Sequence, residues 1–193
     1  MVKIILASKS AVREKILLDN NIQCEVVPSK LKEEPLKEKL IMNKTEPDQI
    51  AQNLASLKAK KVSEKFIDKL VLGADSVINL NGELISKPTD RKEALRILKK
   101  LNGKIHYLTS SVSIYKNGQE IWSYTDKAAL TMKNFTTVQL ESYLSKINDK
   151  DLYSYNVYQI EGEGRNLFEK IEGDKNTVMG LPINKIKEYI NKL

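Results

Sequence analysis

The chain of 193 residues has little of what several protein classes require. It holds one cysteine, Cys24, so it can form neither an intrachain disulfide nor a thiolate metal cluster, and a reducing, cytoplasmic setting is expected. It holds one histidine, His106, which excludes a multi-histidine zinc site. Any metal would then be held by carboxylates, which suits a hard cation such as Mg2+ or Mn2+. No apolar run approaches the ~20 residues of a membrane span. Met1 to Ser10 offers only the short run Ile4 to Ala7 and no cleavable signal layout. Aromatic residues are 6% of the chain and scattered, with no stripe of the kind that stacks single-stranded bases. Arginine is scarce too: only Arg13, Arg91, Arg96 and Arg165.

What is present is an apolar fraction of 41%, enough for the core of one ordinary domain, and 32 Lys+Arg against 25 Asp+Glu. The net charge of +7 favours an anionic partner such as a nucleotide, a nucleic acid or an acidic membrane, or it reflects a lysine-rich solvated surface.

Apolar periodicity predicts alternating strands and helices. Strands are expected at Val2 to Ala7, Gln23 to Val27, Leu70 to Ile78, Ile105 to Tyr115, Glu120 to Phe135, Tyr155 to Ile160 and Asn166 to Ile171. A helix follows the first strand, a long one runs from Pro47 towards Phe66, and others span Asp90 to Leu101, Val138 to Ile147 and Pro182 to Leu193. Lys30 to Lys44 contains Pro35 and reads as a loop with a short helix. Asn81-Gly82 and Asn117-Gly118 read as hairpin turns, and Asp90 with Glu93 as a helix-capping pair. Helical crossovers together with hairpins imply an α/β fold with a mixed sheet. No linker divides the chain, so residues 1–193 read as a single domain.

Several short patterns could carry chemistry. Ser8, Ser10 and Arg13 lie between a buried strand and a helix, where hydroxyls cap the helix and its free N–H groups attract phosphate. A guanidinium on the first turn could grip phosphate as a fork, or simply face solvent. Asp75 interrupts an apolar strand at its C-terminal end, where ligands bind in open α/β sheets, and could hold a cation or accept a proton from water; it could also be a capped turn residue. Lys87, fixed in extended backbone by Pro88, could neutralise phosphate. Lys58 flanks the apolar stripe of the long helix, the usual place of a snorkelling lysine. Glu161-Gly162-Glu163-Gly164 is either a plain hairpin loop or a pair of acids for a metal or a nucleobase. His106, alone in a strand, reads as a structural residue, and Gly180-Leu181-Pro182 as the lead into the last helix.

The order and spacing of these pieces say more than any one of them. Ala7-Ser8-x-Ser10-x-x-Arg13, Leu54-Ala55-x-x-Lys58-Ala59, Gly73-Ala74-Asp75, Lys87-Pro88, Leu101-x-Gly103-x-x-His106-x-x-Thr109, Tyr158-x-Ile160-Glu161-Gly162-x-Gly164 and Gly180-Leu181-Pro182 together resemble the Maf family, from Ile4 to the C-terminal helix. The resemblance implies a nucleoside triphosphate pyrophosphatase that releases pyrophosphate and a nucleoside monophosphate. It implies the fold shared with inosine triphosphate pyrophosphatases: an elongated mixed sheet in two lobes with flanking helices around a cleft. It also implies a cytoplasmic, house-cleaning enzyme, a divalent cation and a homodimer. By position, Asp75 falls on the family's proton acceptor, Ser8, Ser10 and Arg13 on its phosphate-facing motif, Lys58 and Lys87 on its pocket lysines, and Glu33 on its acid before the long helix. Glu33, Asp75 and Glu161 would hold the metal, with Glu161 reading the base as the other option.

The chain departs from the family pattern in four places. Ser10-Ala11-Val12-Arg13 stands for Ser-Pro-Arg-Arg, Lys32-Glu33 for Asp-Glu, Ser76 for Thr or Gln, and Glu161 for the Gln of dTTP- and UTP-preferring members. Ile160 to Phe168 is more like the branch that includes 7-methyl-GTP hydrolases, whereas Gly73-Ala74-Asp75 and His106 look like the general type, so the resemblance leaves dTTP/UTP-like and 7-methyl-GTP-like substrates both open. The rival readings are an inosine triphosphate-type enzyme and a non-catalytic nucleic-acid-binding module. Asp75, Glu33 and Glu161 argue against the module, so nucleic acid and membrane are not expected partners.

Overall fold

The computed structural model describes residues 3–149, 152 and 157–193. Its strands are β1 (Ile4–Leu6), β2 (Cys24–Val26), β3 (Val71–Leu80), β4 (Glu83–Ile85), β5 (Ile105–Lys116), β6 (Gln119–Met132) and β7 (Phe168–Glu172). Its helices are α1 (Ala11–Asp19), α2 (Glu33–Met42), α3 (Pro47–Ser63), α4 (Arg91–Leu101), α5 (Thr137–Ser145), α6 (Lys175–Val178) and α7 (Ile183–Ile190). The sheet runs β2-β1-β3-β5-β6-β7, with β4 hydrogen-bonded to β3. β1 is parallel to β2 and to β3, whereas β3–β4 and β6–β7 are antiparallel, so the expected mixed α/β sheet is present. No helix among the described residues is long and apolar enough to cross a membrane.

The chain forms two compact units. The first holds residues 1–77, 109–127 and 174–193, and the second residues 78–108 and 128–173. Strands β3, β5 and β6 each contribute residues to both.

In the first unit, the apolar stripe of α3 (Ile50, Leu54, Val62) and its small residues Ala51, Ala55 and Ala59 are buried. Gly73 on β3 is the reason α3 comes so close: a Cβ there would stand 2.1 Å from the Ala55 carbonyl oxygen and 2.9 Å from the Ala59 Cβ. A second cluster sets Ile16 and Leu17 of α1 and Ile186 of α7 on Leu6, Leu72 and Ala74. Helix α2 is longer than the sequence suggests. Pro35 is its third residue, where the missing N–H would have had no helical partner anyway. That start places Glu33 at the first helical position, favourable for a carboxylate.

In the second unit, the Asp90 carboxylate accepts from the Glu93 N–H at 2.7 Å, as its capping pattern predicts. Thr136 and Gln139 complete a capping box on α5. Arg91 donates to the carbonyls of Leu144 and Ile147, both at 2.7 Å, and so satisfies the C-terminal end of α5. The expected strand Tyr155 to Ile160 lies partly outside the described residues; 157–160 are not strand, and a turn closes from the Gly162 N–H to the Gln159 carbonyl at 3.1 Å. A short 3-10 helix, Glu163–Leu167, follows, so the next strand starts at Phe168 and not at Asn166. The reason is Gly164: a Cβ there would be 2.6 Å from the backbone N and O of Gln159, so the chain doubles back too tightly for a strand.

Candidate active site

Two turns of α3 beyond Ile50, Lys58 occupies a position of the helix's buried face and is itself 7% exposed. An unpaired ammonium could not stay there. Its Nζ donates to Asp75 Oδ1 at 2.7 Å and pairs with Glu33 Oε1 at 3.0 Å. Lys58 is therefore not a snorkelling surface lysine. Asp75 is 5% exposed and lies in the middle of β3, not at its expected C-terminal end, because β3 continues to Leu80 in its hairpin with β4. It is two residues past Gly73 and on the same face, because side chains alternate along a strand. The close approach of α3 to Gly73 is thus what brings Lys58 to Asp75. Only Oδ1 of Asp75 is used. Oδ2 is buried and has no hydrogen-bond partner among the described residues, which costs ~1–3 kcal/mol for such a group in general.

Ser8, Ser10 and Arg13 gather at the start of α1. Ser10 Oγ accepts from the Arg13 N–H at 3.4 Å and Ser8 Oγ from the Ser10 N–H at 3.2 Å, so both hydroxyls serve the helix N-terminus. The Arg13 guanidinium donates from Nε to the Gly180 carbonyl at 2.9 Å, from Nη1 to the Ala74 carbonyl at 2.8 Å and Ser8 Oγ at 3.4 Å, and from Nη2 to Ser76 Oγ at 3.0 Å. Burial pulls its pKa below the ordinary arginine value, opposed by the charges of Asp75 and Glu33. Gly180 therefore does more than lead into a helix. With φ at +95° it turns its carbonyl to Arg13, and a Cβ would stand 3.2 Å from Ser76 Oγ. Ser76 continues inward to Ser110 Oγ at 2.8 Å, which donates to the Thr177 carbonyl at 2.7 Å. Sequence reasoning missed Ser110, Thr177 and the Gly180 carbonyl. Their only signal was a run of small hydroxyl residues, Thr109 to Ser111, in a strand otherwise fit for a core.

Of the expected residues, the first unit thus brings Ser8, Ser10, Arg13, Glu33, Lys58 and Asp75 into one neighbourhood. Lys87 and Glu161 belong to the second unit. Glu161 is exposed and stands just before the 3-10 helix. In that unit His106 is fully buried, with Nε2 2.9 Å from the Tyr158 hydroxyl and Nδ1 unpartnered among the described residues. Burial lowers its pKa to about 4, so it is neutral at pH 7 and fits the structural role expected of it. Burial also raises the Tyr158 hydroxyl well above its ordinary value.

Among the described residues no three His, Cys, Asp or Glu side chains gather as a metal centre. The donor set is nonetheless compatible with Mg2+, which is commonly held by one or two carboxylates while substrate phosphates and water complete its shell. Asp75 Oδ2 is a buried carboxylate oxygen with no partner among the described residues, and Glu33 lies on the same lysine with its side chain 34% exposed.

Comparison with known proteins agrees with this reading of the motifs. The chain is 65% identical over 191 residues to a nucleoside triphosphate pyrophosphatase of Pelagibacter ubique, covering 98% of both chains. It is 36% identical to a 7-methyl-GTP pyrophosphatase of Rhizobium johnstonii, covering 99% of this chain and 96% of that one. A 7-methyl-GTP pyrophosphatase of Bartonella henselae is 41% identical, over 93% and 90%. Among solved structures, a HAM1 protein from Coxiella burnetii has a TM-score of 0.44 at 13% identity, over 68% of this chain and 73% of that one, too distant to bear on fold or function. The family model described as Maf-like protein matches residues 3–193, and the chain belongs to that family.

Proposed function

We propose that the chain is a nucleoside triphosphate pyrophosphatase that cleaves the α–β phosphoanhydride to give a nucleoside monophosphate and pyrophosphate. The observation that carries this reading is Asp75: a buried carboxylate held through Oδ1 by Lys58, with Oδ2 free of partners among the described residues. Such an oxygen can take a proton from water as the water attacks the α-phosphorus and pyrophosphate leaves. Lys58 fixes the carboxylate's orientation and keeps its charge compensated. The N-terminus of α1, with Ser8 and Ser10, faces its N–H groups towards phosphate oxygens. Lys87 is assigned to phosphate charge and Glu161 to the base edge on motif alone. A divalent cation, held by Asp75 and Glu33 with the nucleotide, would supply charge neutralisation. Two features support a modified purine nucleotide as substrate: the Glu161 motif and relatives that carry the 7-methyl-GTP name. A cytoplasmic site of action and a homodimer complete the reading.

The test is pyrophosphate release from dTTP, UTP, CTP, 7-methyl-GTP and ITP, with and without Mg2+. The expected result is cation-dependent turnover of at least one of them. Asp75→Asn should lower kcat by ~10²–10⁴-fold, the usual worth of a positioned base, in a protein that still folds, since the amide oxygen keeps an acceptor for Lys58 and Glu33 keeps a counter-charge. No turnover of any nucleotide, or full turnover by Asp75→Asn, would sink the reading.

A further inference from the structure

We infer that Arg13 is a positioning residue that clamps the backbone carrying Asp75, and that it does not grip the phosphates. The inference rests on the pyrophosphatase reading for its kinetic consequences and on geometry for everything else. A guanidinium has five N–H bonds. Four of Arg13's are spent within the first unit, on Gly180 O, Ala74 O, Ser8 Oγ and Ser76 Oγ. Two of those acceptors, Ala74 and Ser76, are the chain neighbours of Asp75.

The need for the clamp follows from the sheet. β1 ends at Leu6, whose register partner is Leu72, and the last ladder bond runs from the Ala7 N–H to the Leu72 carbonyl at 2.8 Å. The next carbonyl of β3 on that edge is Ala74, and Arg13 Nη1 supplies the donor that β1 no longer provides. Alternation puts Gly73 and Asp75 on the face covered by α3 and Ser76 on the other, from which Arg13 reaches it. The hydroxyl it holds is anchored in turn through Ser110 to the Thr177 carbonyl, and both residues are fully buried. Arg13 thus fixes the strand at the residues before and after Asp75. A guanidinium so engaged cannot present a two-pronged fork to a phosphate without giving up these acceptors.

The experiment compares Arg13→Met, Arg13→Lys and Ser76→Ala with the wild type in steady-state pyrophosphate release, in calorimetric titration with pyrophosphate, and in amide hydrogen exchange over residues 73–77. Arg13→Met should lower kcat by ~10–100-fold, the scale of a small misplacement of a catalytic group. KM and the pyrophosphate Kd should stay within about twofold, because a positioning role leaves ground-state binding alone. Arg13→Lys should not rescue kcat, since one ammonium cannot span four acceptors. Ser76→Ala should lower kcat in the same direction by a smaller factor, with KM unchanged, and it decides the matter if the Arg13 variants do not fold. A pyrophosphate Kd weakened tenfold or more with kcat retained would overturn the inference, and so would an unchanged kcat. If the wild type turns over no nucleotide, the pyrophosphatase reading fails by itself. Exchange over residues 73–77 then decides the clamp: faster in Arg13→Met upholds it, and unchanged refutes it.

Discussion

Gly73→Ala tests the chain of causes from a small residue to a catalytic geometry. The added Cβ would stand 2.1 Å from the Ala55 carbonyl oxygen, 2.7 Å from the Ala59 nitrogen and 2.9 Å from the Ala59 Cβ. The first two are helix backbone, so no side chain can rotate out of the way. An ordinary C···O contact is about 3.3 Å or longer, so α3 must withdraw from β3 by about 1 Å. Lys58 rides on that helix, and its 2.7 Å bond to Asp75 would stretch beyond hydrogen-bonding reach. Overpacking of this kind costs about 3 kcal/mol. In a chain of this size that lowers Tm by roughly 6–12 °C. A displacement of this size at the proposed catalytic carboxylate should also cut kcat by ~10²-fold. Differential scanning calorimetry and pyrophosphate release measure the two effects. Gly82→Ala is the control. Its φ is +86° but a Cβ there meets nothing within 4 Å, so it should cost only the backbone strain, about 1 kcal/mol, and leave kcat unchanged. A Gly73→Ala protein that melts within about 1 °C of wild type and turns over normally would refute the argument that close helix approach sets the Lys58–Asp75 pair.

Three further outcomes are expected. His106 is neutral in the folded protein with a pKa near 4, whereas in the unfolded chain it titrates near its usual 6.5. Its contribution to stability is complete above pH 6.5 and is lost as the pH falls to 4, by about 3 kcal/mol. Urea melts from pH 7 to pH 4 should show His106→Gln losing that much less stability than wild type over this range, and parallel slopes would contradict it. Lys58→Met leaves the carboxylates of Asp75 and Glu33 without their shared cation, so it should destabilise the fold by ~3–5 kcal/mol in addition to abolishing turnover; a stability loss below 1 kcal/mol would count against the pair. Glu161→Gln should change the ratio of kcat/KM between 7-methyl-GTP and dTTP by about tenfold, roughly the worth of one base-edge hydrogen bond to a charged group, while an equal drop on both substrates would remove Glu161 from base recognition.

Much of the framework was legible in the amino-acid order because its causes are local. Asn81-Gly82 and Asn117-Gly118 both adopt positive φ at each residue, which those residue types tolerate and a two-residue hairpin turn needs. Asp90 caps α4 because a carboxylate three residues ahead of a free N–H can reach it in any helix. The apolar run of β3, broken by one acid, and the ordered set of short motifs pointed to the family without coordinates. Other features were hidden because their causes are remote in the chain. Pro35 reads as a helix breaker unless its place in the first turn is known. The turn from Gln159 to Gly162 depends on how closely Gly164 can approach Gln159.

By itself, then, the sequence determined the alternation of strands and helices, the turns, the caps and the family, since periodicity and capping act over a few residues. It also placed Asp75 on a buried strand, though not where along it, since β3 runs on to Leu80. Only the tertiary structure decided what the charges do. Lys58 became a buried partner of Asp75 because Gly73, Ala55 and Ala59 let two elements touch. Arg13 became a clamp because the end of β1 left the Ala74 carbonyl without a strand partner, and Gly180, 167 residues away in sequence, offered its own. A side chain's charge is written in its residue type, but its partner is set by burial and geometry, which no local pattern records.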